Sequence, residues 1–528
     1  MCPETYSTGQ RPSFFSECFD APAGPQTAAS SSASKSRKLT VFVLTVTALW
    51  CAYWFMHTRG YWEDDAWIHL EYARSVAEGR GFAFNGITIS ADTSPLWVLL
   101  LAAAHTLVSD WIAAGKLLSA VGALFGFSGV LAVSRRLAHE IVPQISADVF
   151  AAAVVLMTAA NPYTCYWIFS GMEALTAAGV VCWSLFACMQ ERPTPGVCLA
   201  GCALAGAAPL LRPEMLILSL LLGGFLLRQI RRVHAKGRRR KIIVAAALAL
   251  LVLPLCLWSL YSLHAFGHLL PTTMAAKRDF TNTPVLKRLW QVYLFGLPLI
   301  PVGLLLSLFR LKRWQLLPPA AWLLLVSTGS SIAFYIANHT YVQTRYVLVS
   351  APALMAVTCA MLFAAFPRAG RTMYALALAL SVATSVLLVR PFLHNKALDG
   401  RASAEMAAYI REHVSPDAPV AIYSIGEIAF LSRHPIVDTG GITRPSALPY
   451  LNRPREEVVR WSESEGAQYA IDGPTPEPGA LALYTVWLPY ASWDVHLGRY
   501  KTSEPLTLWR LPPHNASDEV EAAVTQPK

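Results

Sequence analysis

The sequence predicts a polytopic α-helical membrane protein with about eleven spans, interfacial helices and a C-terminal α/β domain. Hydrophobic residues make up 54% of the 528 residues and charged residues only 14%, whereas soluble domains average about 25% charged residues. Apolar runs of membrane-spanning length recur as far as residue 390. Residues 391–528 carry 12 basic and 17 acidic residues, which is normal for a soluble domain. The composition therefore excludes a soluble enzyme, a fibre and a disulfide-stapled mini-domain.

Three segments are predicted along the chain. Residues 1–38 form a disordered cytoplasmic N-terminus, because residues 1–34 are rich in Ser, Ala, Pro and Gly. Residues 39–390 form the transmembrane module, and residues 391–528 form the α/β domain. The eleven predicted spans lie near residues 39–56, 111–133, 148–167, 173–189, 197–211, 214–230, 242–263, 289–309, 318–337, 346–366 and 372–390.

Basic residues in the connectors predict the orientation. Residues 1–390 hold 31 basic and 16 acidic residues, and the excess lies in short connectors, above all within residues 228–241. Short loops rich in Lys and Arg stay cytoplasmic. We therefore predict a multi-pass protein of the inner (plasma) membrane, with a cytoplasmic N-terminus and an extracytoplasmic, or periplasmic, C-terminal domain. The basic excess is no sign of nucleic acid as a partner, because no soluble domain carries it.

The apolar segment 95–108 is predicted to lie at the membrane interface within a first outside loop, residues 57–110. If this segment spanned the membrane, Arg135 and Arg136 would lie outside and every later basic connector would invert. Its length of about 14 residues is also short for a span.

The C-terminal segment predicts a small mixed domain. A helical pattern at 402–413 precedes short apolar runs bounded by Gly, Pro and Asp, which are typical of strands. These runs are PVAIYSIG, HPIVDTGG, QYAIDG, YTVWLPY and LTLWRLP. The ten cysteines are scattered and form no C-x-x-C pair, so we predict no cysteine-bound metal site, such as a zinc site, and no disulfide framework.

Acidic residues concentrate in the first outside loop. Six of the 16 acidic residues before position 391 lie between residues 61 and 92. Asp64 and Asp65 open a predicted helix, where the helix dipole favours ionised carboxylates. One interpretation is that they only cap this helix. The other is a functional carboxylate that deprotonates a hydroxyl or binds a divalent cation such as Mg²⁺ or Mn²⁺.

The other predicted outside loops add charges of both signs. An Arg-Pro-Glu sequence between two apolar runs is costly unless its charges are paired or functional. Carboxylates beside cations on one membrane face suit a lipid-anchored phosphate substrate, because cations hold the phosphate. The candidate substrate-binding residues are Glu173, Arg212, Glu214, Lys277, His339 and Arg345.

An ordered set of motifs resembles the GT-C glycosyltransferases that use a polyprenyl-phosphate sugar donor, and most closely the group of the mycobacterial terminal arabinofuranosyltransferase. The motifs fall between about residues 60 and 445. They are DDAWIHLEYARSVAEGRGFAFN with TSPLW, WIFSGMEA, LLRPE, FGHLLPTTMAAK, and the pair TYVQTRYVL and IYSIGEIAFLSRHPIVDTGG.

This resemblance implies an inverting transfer of a sugar to an acceptor hydroxyl on a glycan or lipid, in cell-envelope assembly. It implies an acidic base at Asp64 or Asp65, with Asp64 slightly favoured, and a phosphate contact at Lys277. Arg212 and Arg345 would support that contact. A lipid-glycan flippase or transporter is the alternative, although no internal symmetry is evident. A structural membrane protein would leave the acidic cluster unexplained.

Overall fold

The computed structural model describes residues 26–232, 237–276, 284–311, 317–340, 342–451, 453–472, 479–488, 492–494 and 499–512. Residues 1–25 of the predicted N-terminal segment lie outside the described residues. Residues 26–38 continue the first span as helix, because Ala, Lys and Arg propagate a helix well once an apolar segment has formed it.

Helices dominate the chain before Arg390. They are α1 Gln26–His57, α2 Asp64–Ala77, α3 Pro95–His105, α4 Trp111–Ile141, α5 Ala147–Ala160, α6 Pro162–Trp167, α7 Ala174–Cys188, α8 Pro195–Leu211, α9 Leu216–Gln229, α10 Gly237–Phe266, α11 Thr273–Ala276, α12 Val285–Gly296, α13 Leu299–Leu311, α14 Pro319–Ala337, α15 Thr344–Leu348, α16 Ala351–Ala365 and α17 Ala369–Thr384. A two-stranded hairpin, β1 Ala83–Phe84 and β2 Ile87–Thr88, follows α2.

Each predicted span overlaps an apolar helix, which confirms the polytopic helical fold. Among the described residues, five helical segments are long and apolar enough to cross a membrane, and shorter apolar helices accompany them. The predicted span 289–309 is not one helix, because α12 ends at Gly296 and α13 begins at Leu299. Pro298 lies in this break, and proline cannot donate the backbone hydrogen bond that a continuous helix requires.

Segment 95–108 contains the apolar helix α3, which is 11 residues long and ends at His105. Near its start, the Trp97 indole donates to the Gly171 carbonyl, 2.9 Å away. At its end, the His105 ring stacks on Trp111 with 3.6 Å between centroids. Five residues further on, Lys116 Nζ donates to the Phe169 carbonyl at 2.5 Å. The start of α3 and the first turns of α4 therefore both contact the loop of residues 169–171.

The basic stretches around Ser36 and Arg136 contact neighbouring connectors at the opposite end of the bundle. Ser36 Oγ lies 2.6 Å from Ser146 Oγ. Arg136 pairs with Glu191 at 2.6 Å, which joins the α4–α5 side to the α7–α8 connector. The start of α1 and these two connectors therefore share one face of the bundle.

The C-terminal part is an α/β unit, as predicted. Helix α18 Arg390–His413 continues from α17 through a π-helical turn, Ser385–Val389. The remaining elements are β3 Val420–Ile422, α19 Gly426–Ser432, β4 Ile436–Asp438, α20 Arg455–Ser464, β5 Tyr469–Asp472, β6 Leu481–Leu488, β7 Ser492–Asp494, β8 Arg499–Lys501 and β9 Glu504–Arg510. The main sheet has the order β4-β3-β5-β9-β6, in which β3 runs parallel to both neighbours and β9 antiparallel to both.

Helix α19 packs directly against α2 of the first loop. The Arg74 guanidinium donates to the Phe430 carbonyl at 3.0 Å, and the Asn85 amide donates to the His434 carbonyl at 2.8 Å. Gly426 allows the closest approach, because a Cβ at this position would overlap the Asp64 carbonyl oxygen and lie 2.5 Å from Asp64 Oδ1. We call this α2–α19 contact the junction.

Substituting Gly426→Ala is expected to destabilise the junction. A methyl group forced into a packed contact costs about 1–3 kcal/mol, and the atoms that it meets are backbone as well as side chain. Equilibrium unfolding in mixed micelles measures the loss. Gly224→Ala is the matched control, since a Cβ there meets nothing within 4 Å. Equal stability of the two variants would contradict the close approach.

Candidate active site

A buried polar pocket lies where α2 meets the connectors at the α3 end of the bundle. Its wall includes Ile442 from the C-terminal part and Met172 from the loop before α7. We define the polar pocket by its charged and titratable residues, which come from five separate segments. They are Asp65, His69, Asp92, Glu173, Arg212 and Arg345.

Asp65 enters the pocket from the first turn of α2. Its carboxylate forms an ion pair with the Arg345 guanidinium of α15. Arg345 is only 3% exposed, and its guanidinium carbon lies 5.5 Å from the centre of the Trp167 ring. The Trp167 indole in turn donates to Thr344 Oγ1 at 2.8 Å, which anchors the residue beside Arg345. The carboxylate at the pocket mouth is therefore held by a cation with a fixed position.

A second ion-pair group closes the inner wall. Arg212 Nη1 lies 2.5 Å from Glu173 Oε1, and Arg212 Nε lies 2.5 Å from Glu214 Oε1. The guanidinium also lies 4.5 Å from the centre of the Tyr346 ring. Glu173 has no exposed surface. The charges of the Arg-Pro-Glu sequence are therefore paired, and the partner Glu173 comes from 39 residues earlier in the chain.

His69 and Asp92 complete the pocket, and the sequence analysis did not select either as a site residue. His69 Nδ1 lies 2.5 Å from Asp92 Oδ2, and His69 Nε2 lies 3.5 Å from Glu173 Oε2. Burial disfavours the charged imidazole, but Asp92 and Glu173 outweigh it and raise the pKa of His69 to about 9. The signal for His69 was its position four residues after Asp65, on the same face of a helix.

Asp64 points away from the polar pocket into a second cavity at the junction. Its Oδ1 accepts the backbone N–H of Glu427 at 3.2 Å. This junction cavity has a volume of about 210 Å³ and is also lined by Glu63, Asp399 and Lys396. Adjacent helical residues point about 100° apart, so the two aspartates at the start of α2 face different cavities.

Two carboxyl groups in the junction cavity, Asp64 and Glu427, have a raised pKa. Burial and the neighbouring Asp65 raise the pKa of Asp64 to about 6. Burial, Asp64 and Asp399 raise the pKa of Glu427 to about 8. A carboxyl that is protonated near neutral pH accepts a second carboxyl as a neighbour without charge repulsion.

Raising the pH from 5 to 8 is expected to lower the melting temperature of the protein. The folded-state pKa of Glu427 lies above its ordinary value of 4.5, so its contribution to stability is complete below that value and is lost as the pH rises through about 8. Glu427→Gln keeps the neutral form and should reduce this pH dependence. The exposed Glu412→Gln is the control. The effect would be contradicted if the melting temperatures of wild type and Glu427→Gln changed equally between pH 5 and 8.

Besides Asp64, three predicted residues are not among those that line the polar pocket as described. Glu214 pairs with Arg212 but lines a neighbouring cavity. Lys277 lies outside the described residues, although Thr273 lines the pocket and donates to the Ala91 carbonyl at 2.5 Å. His339 lies exposed just after α14, with a φ of 48°. Among the described residues, no group of three or more His, Cys, Asp or Glu side chains is arranged to hold a metal ion.

The comparisons with known proteins concern the fold and the C-terminal part. Residues 393–515 match a family described as Domain of unknown function (DUF8728). No curated protein matches the chain. The structure resembles ArnT from Cupriavidus metallidurans bound to undecaprenyl phosphate, with a TM-score of 0.54, 15% identity, and coverage of 88% of this chain and 97% of ArnT.

Two further solved structures are similar. The apo state of the same ArnT gives a TM-score of 0.54 at 14% identity, covering 90% of this chain and 98% of ArnT. The arabinofuranosyltransferase AftD from Mycobacteria gives a TM-score of 0.49 at 13% identity, covering 89% of this chain and 40% of AftD. The ArnT comparison covers nearly the whole of both chains. This chain therefore has the fold that ArnT represents.

Proposed function

We propose that this chain is an integral membrane glycosyltransferase that moves a sugar from a polyprenyl-phosphate donor to an acceptor hydroxyl. One observation carries the proposal: the Asp65 carboxylate stands at the mouth of a buried polar pocket and is held there by Arg345. The GT-C fold supports it, as does the undecaprenyl phosphate bound to the similar ArnT. A pocket with a fixed carboxylate suits chemistry that begins by removing a proton.

In the proposed reaction Asp65 is the general base. It takes the proton of the acceptor hydroxyl, whose oxygen forms a bond to the anomeric carbon of the donor sugar. The bond from that carbon to the phosphate oxygen breaks, and its electron pair leaves with the polyprenyl phosphate. Direct displacement inverts the anomeric centre. Asp65 is preferred to Asp64 because Asp64 faces the junction cavity and accepts a backbone N–H there.

The departing phosphate requires cations that are not already committed. Arg212 and Arg345 both have carboxylate partners in the pocket. We therefore assign the phosphate contact to Lys277, which follows the pocket residue Thr273 by four positions. A Lys ammonium is a suitable phosphate ligand because it brings a full charge and three donors.

The proposed setting is the outer face of the inner (plasma) membrane. The basic connectors on the opposite end of the bundle support this orientation, with the polar pocket and the C-terminal domain outside. The acceptor in this setting is a glycan or a lipid of the cell envelope.

Reconstitution in proteoliposomes tests this function. The vesicles contain purified protein, a mixed glycan and lipid acceptor extract, and farnesyl phosphate linked to labelled arabinofuranose, mannose or glucose. Label in a new glycosidic product, with release of farnesyl phosphate, is the expected result. Movement of the labelled lipid across the bilayer without a new bond would instead identify a flippase and overturn the proposal. Protein-free vesicles are the control.

A further inference from the structure

Two buried atoms in the polar pocket lack hydrogen-bond partners. Within the described part of the chain, neither His69 Nε2 nor Glu173 Oε2 makes a hydrogen bond, and they lie 3.5 Å apart. The His69 side chain is 6% exposed and that of Glu173 is fully buried. The two atoms form a long ion pair with each other. Buried polar groups nearly always make hydrogen bonds, so a donor and an acceptor that both lack one require an explanation.

The other ends of both side chains are fixed. His69 Nδ1 is held by Asp92 at 2.5 Å, and Asp92 Oδ1 itself accepts the Ser94 backbone N–H at 2.6 Å. Glu173 Oε1 is held by Arg212 at 2.5 Å. Neither side chain can turn to satisfy its free atom without breaking one of these contacts.

The carboxylates on either side of His69 favour its protonated form. Asp92 faces one ring nitrogen and Glu173 faces the other, so a proton on each nitrogen reduces the repulsion between lone pairs. Nε2–H is then a donor, and Glu173 Oε2 beside it is an acceptor.

We propose that His69 and Glu173 together bind one hydroxyl group of the donor sugar, with His69 donating to it and Glu173 accepting from it. A hydroxyl both donates and accepts, so a single oxygen satisfies both atoms. A methylene would satisfy neither, and an ether or carbonyl oxygen would leave Glu173 unpaired. The inference rests on the proposed function, because it assigns a role to a second part of the same pocket.

The exposure of the side chains indicates whether the bound hydroxyl belongs to the donor sugar or to the acceptor. The Asp65 carboxylate is 25% exposed, whereas the side chains of His69 and Glu173 are 6% and 0% exposed. The acceptor hydroxyl has to reach Asp65 near the mouth. The group that reaches the deeper pair therefore belongs to the sugar that is already bound, which is the donor sugar.

Binding of deoxy donors tests the inference. We would measure the dissociation constants of the farnesyl phosphate sugars and of every monodeoxy form of each, using the full chain in lipid nanodiscs. A site built around a hydroxyl discriminates strongly against an analogue that lacks it, because its own groups are left unpaired. For the sugar that binds best, we expect one deoxy form to bind at least about 100-fold more weakly.

Two variants distinguish the role of the His69 Nε2–H donor in the pocket from an effect on folding. In His69→Asn, the amide nitrogen reaches the position of Nδ1 and keeps a donor toward Asp92. The Nε2–H donor toward the sugar hydroxyl is lost. In His69→Gln, the amide nitrogen reaches the position of Nε2. We expect His69→Asn to discriminate less than about tenfold between the parent and that deoxy donor, and His69→Gln to retain most of the discrimination. A ratio of two constants measured on one variant is independent of the yield of folded protein.

The outcomes distinguish the two proposals. Equal binding of all deoxy forms to wild type, unchanged discrimination in His69→Asn, or binding no tighter than that of farnesyl phosphate alone would overturn the hydroxyl contact. Loss of discrimination in His69→Asn supports the contact even where no sugar is transferred. Absence of transfer with discriminating binding would overturn only the proposed glycosyltransferase function.

Discussion

Asp65→Asn is expected to reduce sugar transfer by about 10²- to 10⁴-fold, the range that a general base contributes. Asn has the shape of Asp but cannot take a proton from the acceptor hydroxyl at neutral pH. The effect should fall on kcat rather than on donor binding, because the base acts only in the transition state. Transfer in proteoliposomes measures the rate, and donor binding in nanodiscs measures the remaining affinity.

Asp64→Asn is the matched control for this substitution. It makes the same chemical change one residue away, in the junction cavity rather than in the polar pocket. The oxygen of the introduced amide can still accept the Glu427 N–H, so we expect a loss of transfer below about tenfold. Full transfer by Asp65→Asn together with abolished transfer by Asp64→Asn would reverse the assignment of the base.

Asp65→Asn also removes the partner of Arg345, so folding has to be measured beside activity. Arg345→Met combined with Asp65→Asn leaves no unpaired charge in the mouth of the pocket. If the single variant were inactive only because it was misfolded, the double variant should regain part of the transfer. If Asp65 is the base, the double variant stays inactive although its melting temperature recovers.

The fold followed from local properties of the sequence. An apolar run long enough to cross a membrane identifies a helix without knowledge of its neighbours, and Lys and Arg in short connectors give the side. The same charges led to the prediction that segment 95–108 lies at the membrane interface. Apolar content alone did not reveal the break between α12 and α13, where Pro298 interrupts the pattern.

The polar pocket depended on contacts between distant residues, which the sequence does not show. To choose between Asp64 and Asp65, one has to know which element packs on each side of α2. One of these elements, α19, comes more than 360 residues later in the chain. Asp92 lies 23 residues after His69, beyond the end of α2 and the β1–β2 hairpin. Arg212 was predicted to be paired or functional because it lies between apolar runs, yet the second carboxylate, Glu173, could be assigned only from the structure.

Arg212→Met is expected to cause the largest loss of stability, about 3–5 kcal/mol, which is typical when one partner of a buried ion pair is removed. Met fills much of the volume of the Arg side chain, but it removes the guanidinium from both Glu173 and Glu214 and leaves the buried Glu173 carboxylate only the more distant His69, 3.5 Å away, as a cation. Equilibrium unfolding in mixed micelles measures the change. Arg135→Met is the control, because its pair with Asp148 lies on the surface and such pairs contribute less than about 1 kcal/mol.

The cause of that loss can be separated from the loss of packing by a second substitution. Arg212→Met combined with Glu173→Gln also removes the charge of the Glu173 carboxylate. Both positions then carry neutral side chains of nearly unchanged size. If the buried carboxylate is the source of the instability, the double variant should be more stable than Arg212→Met alone, as replacement of a whole buried pair is often nearly neutral. A double variant that is less stable than the single one would show instead that Arg212 acts through its contacts with Glu214 and the Tyr346 ring.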